Sequence, residues 1–128
     1  MLSVTKRFEF DAAHKLPYHK GKCVNLHGHL FILDVEVSGE INMISESEEY
    51  GMIIDFGVLK NIVNEHVISK MDHSFLNDLF VYPTAEFMVT WIAEKLSREM
   101  HSLYAGRLKL VRVRLYETPT SYAEWRIE

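Results

Sequence analysis

Two segments of the chain alternate between apolar and polar residues, and this pattern constrains the fold more than any other feature. Along residues 29–38, four apolar residues share one face: Phe31, Leu33, Val35 and Val37. Residues 4–10 repeat the alternation, with one face formed by Val4, Lys6, Phe8 and Phe10. Successive side chains of a strand point to opposite faces, so a period of two predicts a half-buried strand. We expect both strands to lie in an antiparallel sheet that is covered on one side.

Two later segments have apolar residues at helical spacing. Asp55 is a candidate N-cap for a helix over residues 56–70, whose apolar stripe is Leu59, Ile62, Val63 and Val67. Thr84, which follows Pro83, is the candidate N-cap of a second helix that runs to about residue 101. Its apolar stripe is Met88, Trp91, Ile92 and Leu96. Because each helix is apolar on one side only, both are expected to pack against a sheet.

Patterns typical of strands return near the end of the chain, at residues 108–117 and 122–128. The residues between them, Thr-Pro-Thr-Ser, predict a turn. The apolar phase slips near Leu110 and Val111, which predicts a β-bulge. The order of elements is therefore ββααββ. It predicts an α+β domain with a four-stranded antiparallel sheet and two helices on one face.

The length and composition favour one domain over residues 1–128. A chain of 128 residues that is 48% hydrophobic can form one core. The net charge of -4 provides no general basic field, so we expect no nucleic-acid partner. A single cysteine excludes an intramolecular disulfide framework and fits a reducing compartment. No segment resembles a signal peptide or a membrane span, so we expect a cytoplasmic protein without a membrane partner.

Histidines are concentrated where the second strand begins. His27 and His29 flank Gly28, and residues two apart on a strand project to the same side. His14, at the end of the first strand, could face them if the two strands pair. Three neutral imidazoles with an open fourth position are the composition of a catalytic zinc site. The alternative is that His27 and His29 are solvated surface residues.

Cys23, four residues before His27, allows three interpretations. It could be a small buried apolar residue, as most free cysteines are. It could be the fourth ligand of a closed structural site with three histidines. It could also be a thiolate that serves as a base or nucleophile. Residue chemistry alone leaves all three open.

Three further residues, two of them acidic, complete the set of candidate residues. Asp72 and His73 are adjacent and can form a proton relay in which the carboxylate orients the imidazole. The alternative is a helix cap or turn at Asp72 with a surface histidine after it. Glu117, at the end of the third predicted strand, is either a solvated carboxylate or an acceptor for the paired N–H groups of a guanine or pterin edge.

Six segments, in order along nearly the whole chain, resemble the 6-pyruvoyl-tetrahydropterin synthase superfamily, which has the tunnelling fold. They are FEFDAAHKL, KCVNLHGHLF, GMIIDF, MDHSFLN, YPTAE and YET. The resemblance implies a zinc ion (Zn²⁺) held by His14, His27 and His29. It implies a catalytic group formed by Cys23, Asp72 and His73. It also implies that Glu117 anchors the pterin.

The spacing between Cys23 and His27 distinguishes two branches of that superfamily. Three residues separate them here, whereas the animal-type pyruvoyl synthases have five. This spacing resembles the 6-carboxy-5,6,7,8-tetrahydropterin synthases of the queuosine pathway. That branch implies a zinc-dependent lyase that converts 7,8-dihydroneopterin triphosphate to 6-carboxy-5,6,7,8-tetrahydropterin, with release of acetaldehyde and triphosphate. The alternatives are 6-pyruvoyl-tetrahydropterin synthase and a non-catalytic, zinc-stabilised binding module.

The resemblance also implies that the chain assembles into a homohexamer, a dimer of trimers with active sites at subunit boundaries. A small antiparallel sheet with open edges suits such an assembly, because pairing of edge strands removes exposed backbone groups.

Overall fold

The computed structural model describes all 128 residues and contains one five-stranded sheet. The strands are β1 (Ser3–His14), β2 (His27–Gly39), β3 (Ser74–Phe75), β4 (Leu108–Thr118) and β5 (Ser121–Arg126). Their order in the sheet is β3-β1-β2-β4-β5. The pairs β1–β2, β2–β4 and β4–β5 are antiparallel, and β3 is parallel to β1. The α+β class is confirmed.

The prediction of a four-stranded, wholly antiparallel sheet is wrong in one respect. The extra strand, β3, contains two residues and pairs only with Ala12 and Ala13 of β1. A two-residue strand is too short to leave an alternating pattern in the sequence. It forms because the chain returns to the edge of β1 after the first helix, and it changes the observed order of elements to ββαβαββ.

The first helical segment begins where the sequence predicts. Helix α1 spans Phe56–Val63, and the Asp55 side chain accepts a hydrogen bond from the backbone N–H of Gly57 at 2.6 Å. The helix continues through a π-helical turn, Asn64–Ile68, into α2, Ser69–Met71. The N-cap satisfies one of the backbone N–H groups that every helix start leaves without an intrahelical partner.

The second helix, α3, spans Ala85–Tyr104 and is three residues longer than predicted. The Thr84 hydroxyl accepts a hydrogen bond from the N–H of Phe87 at 3.2 Å, which confirms the predicted N-cap. The helix ends where Ala105 and Gly106 adopt φ angles of 50° and 84°. That left-handed backbone closes a helix C-terminus and is favourable for glycine.

Both helices cover the same face of the sheet and enclose one apolar core. The predicted inward face of β2 is confirmed, because four of its residues are fully buried: Phe31, Leu33, Val35 and Val37. Helix residues pack against them, among them Leu59, Val63, Val67, Met88, Ile92 and Leu96. Full burial of each such side chain stabilises the fold by roughly 1.5–3 kcal/mol. None of the helices combines the length and the apolar character that a membrane-spanning segment requires.

Strand register determines which polar residues meet at one end of the sheet. The β1–β2 pairing places His14 opposite His27, and Ala12 opposite His29. In the β2–β4 pairing, Glu36 lies opposite Arg112 and Val37 opposite Leu110, which leaves Val111 as the extra residue and confirms the predicted bulge. A second irregularity, between Tyr116 and Thr118, leaves Glu117 unpaired in the β4–β5 ladder.

Candidate active site

Four side chains converge on the helix-covered face where β1, β2 and β4 come together. The potential ligand atoms of His14, His27, His29 and Glu117 all lie within 4.8 Å of one another. Ring centroids are 4.5 Å apart for His14 and His27, and 4.9 Å apart for His27 and His29. His14 is completely buried, whereas the other three are half-buried. We call the three imidazoles the histidine cluster, and the Glu117 carboxylate lies beside it.

Backbone carbonyls orient two of the imidazole rings. The Nδ1 atom of His14 lies 2.9 Å from the carbonyl oxygen of Pro83, and Nδ1 of His27 lies 2.7 Å from that of Asn25. A carbonyl oxygen can only accept, so Nδ1 must donate in both contacts. The Nε2 atom of each neutral ring is then left with a free lone pair, which is the form that binds a metal.

The histidine cluster fits a metal ion. The Nε2 atoms of His14 and His29 are buried and have no hydrogen-bond partner. Leaving a buried polar atom unpaired costs about 1–3 kcal/mol. A divalent cation would satisfy both atoms at once, and imidazole nitrogens with a carboxylate oxygen are donors that transition-metal ions accept in proteins.

Glu117 contacts the cluster electrostatically. Its Oε1 atom lies 3.3 Å from Nε2 of His29 and 4.0 Å from Nε2 of His14. The shorter contact is within ion-pair distance but lacks hydrogen-bond geometry, so we treat the two nitrogens as unpaired. Burial lowers the pKa of His29, the carboxylate of Glu117 opposes this, and the neighbouring rings lower it further. The balance favours the neutral imidazole, which can bind a metal.

A cavity of about 520 Å³ lies beside the histidine cluster, between the start of α3 and β5. Glu117 lines it, together with Glu86 and Thr90 of α3 and Tyr122 and Trp125 of β5. The volume is within the range of small-molecule sites, and the wall combines apolar and polar groups. Glu117 therefore faces both the histidine cluster and a space large enough for a bicyclic ligand.

Asp72 and His73 are held in contact with each other at the edge of the sheet. Oδ1 of Asp72 lies 3.0 Å from Nδ1 of His73 and accepts a hydrogen bond from the N–H of Asp11 at 3.0 Å. That N–H is the main reason why the pKa of Asp72 lies below its usual range, and the His73 side chain lowers it further. His73 has a left-handed φ of 57°, which is uncommon for residues other than glycine. The Asp11 carboxylate completes this group.

The two groups of candidate residues lie on opposite faces of the sheet. His14 and Asp11 are three positions apart on β1, so their side chains project to opposite sides. His14 is buried beneath the helices, whereas the side chain of His73 is 78% exposed. The histidine cluster and the Asp72–His73 pair share no residue. One open cavity of about 500 Å³ is lined by both His29 and His73, so the two groups are neighbours across the sheet but do not form one set of ligand atoms.

Cys23 belongs to neither group. It lies in a short 3₁₀ turn, Lys22–Val24, and is half-buried. Its carbonyl oxygen accepts a hydrogen bond from the N–H of Leu16 at 2.6 Å, which closes the loop between β1 and β2. The acidic or thiol group nearest to the three imidazoles is Glu117 and not Cys23. The arrangement with Cys23 as fourth ligand is thus absent from this structure.

Sequence reasoning missed three contributors to the site. It did not place Glu117 among the histidines, and it overlooked the backbone and carboxylate of Asp11. It also could not identify the Pro83 carbonyl, since every residue has a carbonyl group and the sequence carries no signal for which one will face a ring. A signal existed only for Glu117, because it follows the inward-facing residues Val113 and Leu115 at a spacing of two.

Comparison with known proteins gives consistent matches over most of the chain. The family model for 6-pyruvoyl tetrahydropterin synthase matches residues 3–128. Several relatives are named 6-carboxy-5,6,7,8-tetrahydropterin synthase, and the one from Synechocystis sp. is 39% identical, over 98% of this chain and 93% of its own length. A relative from Pyrococcus furiosus, named dihydroneopterin monophosphate aldolase, is 36% identical over 87% of this chain and 85% of its own.

The fold is also found among solved structures. The 6-pyruvoyl tetrahydropterin synthase of Caenorhabditis elegans is similar to this chain, with a TM-score of 0.79 and 25% sequence identity. The match covers 99% of this chain and 96% of the other. The sheet and both helices described above are thus the shared architecture of the two proteins.

Proposed function

This chain belongs to the 6-pyruvoyl tetrahydropterin synthase family, and from this membership we propose that it is a zinc-dependent lyase acting on a pterin triphosphate. The reaction converts 7,8-dihydroneopterin triphosphate and water to 6-carboxy-5,6,7,8-tetrahydropterin, acetaldehyde and triphosphate. The observation that carries the proposal is the histidine cluster with two orphaned Nε2 atoms beside a cavity of about 520 Å³. The product serves the 7-deazapurine pathway that leads to queuosine, in the cytoplasm.

Zinc is the proposed ion because three imidazoles and one open or exchangeable position are the ligand set of catalytic zinc. His14, His27 and His29 would hold it through their Nε2 atoms. When bound, it would act as a Lewis acid that stabilises negative charge developing on the substrate as protons leave adjacent carbons. The cavity beside Glu117 would hold the pterin ring, with the carboxylate accepting its 2-amino and ring N–H groups.

Two groups of this chain would move protons. The Sγ atom of Cys23 is the proposed base, because a thiolate can take a proton from a substrate carbon. The Nε2 atom of His73 is the proposed second proton carrier. Its Nδ1 atom already faces Asp72, so the carboxylate fixes the ring and stabilises its protonated form.

Assembly would complete the active site. The imidazoles of the histidine cluster and the Asp72–His73 pair project to opposite faces of the sheet, which favours an active site that combines groups from two copies. Most of β1 and all of β5 have one edge without a paired strand, and such edges favour association with further strands. We propose a homohexamer of two trimers, in which the Asp72–His73 pair of one copy acts at the histidine cluster of another.

Complementation tests this shared site. His29→Ala and Asp72→Asn each disable a different group, so each variant alone is expected to be inactive. Co-assembly of the two variants should restore part of the activity, since some boundaries would combine an intact histidine cluster with an intact Asp72–His73 pair. A mixture that assembles but stays inactive would show that both groups serve the substrate from the same copy.

The reaction itself is tested by product analysis. The zinc-loaded protein is incubated with 7,8-dihydroneopterin triphosphate, the pterin is identified by mass and acetaldehyde is assayed. Formation of the carboxylated pterin with acetaldehyde is the expected result. A pyruvoyl product without acetaldehyde would instead identify the pyruvoyl synthase reaction.

A second candidate is an aldolase, favoured by the relative from Pyrococcus furiosus that is 36% identical. Aldol cleavage of the dihydroneopterin side chain would leave phosphate on a two-carbon aldehyde, and no free triphosphate would form. The same incubation, repeated with dihydroneopterin monophosphate, separates the two reactions. Turnover of the monophosphate alone, without acetaldehyde, would favour the aldolase.

A further inference from the structure

Glu117 occupies a position between the histidine cluster and the cavity. Its Oε1 atom lies 3.3 Å from Nε2 of His29, and the same residue lines the cavity next to Tyr122 and Trp125. A quarter of the Glu117 side chain, 25%, remains exposed, so the carboxylate is not locked in place by packing. The same carboxylate is therefore adjacent to both the imidazoles and the cavity.

The backbone at Glu117 supports this placement. Tyr116 pairs with Tyr122 and Thr118 pairs with Ser121, so Glu117 is the extra residue at an irregularity of the β4–β5 ladder. Such bulges redirect a side chain and are common beside functional sites. Glu117 thus reaches the imidazoles from β4, although it lies beyond the last residue of β4 that pairs with β2.

The chemistry of a carboxylate limits what Glu117 can do at one time. A paired hydrogen bond to the 2-amino and ring N–H groups of a pterin uses both oxygens in one plane. Binding a metal beside His14 and His29 uses at least one of the same oxygens. Each oxygen has two lone pairs, so direction and not the number of oxygens sets the limit: a carboxylate that aims both oxygens into the cavity turns them away from the imidazoles and the ion.

We propose that Glu117 is the fourth metal ligand of the ligand-free protein and leaves the metal when a pterin ring fills the cavity. This inference rests on the proposed function, because it assumes both a metal at the histidine cluster and a pterin in the cavity. Its consequence is that pterin recognition opens a coordination position for the substrate side chain. Without a pterin in the cavity, Glu117 occupies that coordination position and keeps other ligands off the metal.

Cobalt(II)-substituted protein gives a readout that does not need turnover, since the visible spectrum of cobalt(II) responds to the identity and number of its ligands. Glu117→Gln keeps the side-chain shape but replaces the carboxylate with a weak ligand. We expect it to change the spectrum and to weaken metal binding at least about tenfold, measured by competition with a chromophoric chelator. For metal binding without pterin, Glu86→Gln is the matched control, because Glu86 lines the same cavity but is not among the four potential metal ligands.

Unsubstituted pterin, which lacks the side chain that chelates metal, then tests the movement. Its addition should shift the cobalt spectrum of the wild-type protein toward that of ligand-free Glu117→Gln. Saturation is monitored by pterin fluorescence. Glu94→Gln, at an exposed position of α3 outside the cavity and the histidine cluster, should respond as the wild type does.

Two results would overturn the inference. Identical spectra and metal affinities for wild type and Glu117→Gln would mean that Glu117 is not a ligand. A wild-type spectrum that stays constant at saturating pterin would mean that Glu117 never leaves the metal. In both of these results the wild-type protein still binds cobalt. Failure of the proposed function would be seen differently, because the wild-type protein itself would then bind no cobalt at the histidine cluster.

Discussion

The Nδ1 atom of His14 lies 2.9 Å from the carbonyl oxygen of Pro83, although the two residues belong to opposite halves of the chain. Pro83 immediately precedes Thr84, the N-cap of α3. The start of this helix therefore fixes the ring of a completely buried histidine at the end of β1. The orientation of this metal ligand therefore depends on the docking of α3 on the sheet.

Loss of a single imidazole should weaken metal binding. In His29→Ala the histidine cluster keeps two imidazoles, and we expect its zinc affinity to fall at least about tenfold. The measurement is metal content after gel filtration, together with chelator competition. His101→Ala, at an exposed position on α3, is the control and should bind zinc as the wild type does. Equal zinc contents in the two variants would contradict the assignment.

Replacing Cys23 separates catalysis from structure. Cys23→Ala should keep its zinc and its thermal stability, because the thiol is outside the histidine cluster. Turnover should fall about 10²- to 10⁴-fold, the usual effect of removing a general base. Turnover and metal content are measured on the same preparation. If the variant lost its metal, Cys23 would be a structural ligand and the non-catalytic binding module would be favoured.

The Phe31 ring packs against two imidazoles of the histidine cluster. Its ring stacks on Phe10 at 5.1 Å and meets the edges of His14 and His29 at 5.9 Å and 5.5 Å. Phe31→Leu should lower the free energy of unfolding by about 1–3 kcal/mol and also weaken zinc binding, because the rings lose a rigid contact.

The control for that variant is Phe8→Leu, because Phe8 lies on β1, on the same buried face of the sheet as Phe31, but stacks on no histidine. Urea unfolding of both metal-free proteins and zinc titrations provide the comparison. We expect similar losses of stability but a loss of zinc affinity only in Phe31→Leu. If both variants lost stability and zinc affinity to the same extent, Phe31 would have no special role at the site.

Glu36, on the opposite face of the sheet, should make stability depend on pH. Its pKa lies below the ordinary value because Ser3 Oγ and Arg112 Nε donate hydrogen bonds of 2.6 Å each to its carboxylate. A lowered pKa stabilises the fold above the unfolded-state value of about 4.3, and this contribution is lost as the pH falls through the folded-state pKa.

Glu36→Gln should therefore be less stable than the wild type by about 1–2 kcal/mol at pH 7, and the difference should shrink below about pH 4. Urea unfolding at several pH values measures it. Glu40→Gln, at an exposed position after β2, should show no such trend. A stability difference that is constant with pH would mean that the ionised carboxylate is not what stabilises this network.

Much of the fold could be predicted because its signals are local. The alternation in β2 predicted the buried face, and Asp55 and Thr84 predicted the helix starts, since a strand face and an N-cap each depend on a few neighbouring residues. The bulge at Val111 could be predicted for the same reason. Strand β3 could not, because two residues on the edge of β1 carry no periodic signal.

The sequence by itself determined that His27 and His29 share one face of a strand, and that Asp72 and His73 are adjacent, because chain geometry fixes residues so close together. Tertiary structure alone decided that Glu117 lies beside His29, that Pro83 orients His14, and that the Asp72–His73 pair lies on the other side of the sheet. These relationships join residues far apart in the chain. They depend on strand register, on a bulge and on where a helix docks, and those are outcomes of packing the whole core.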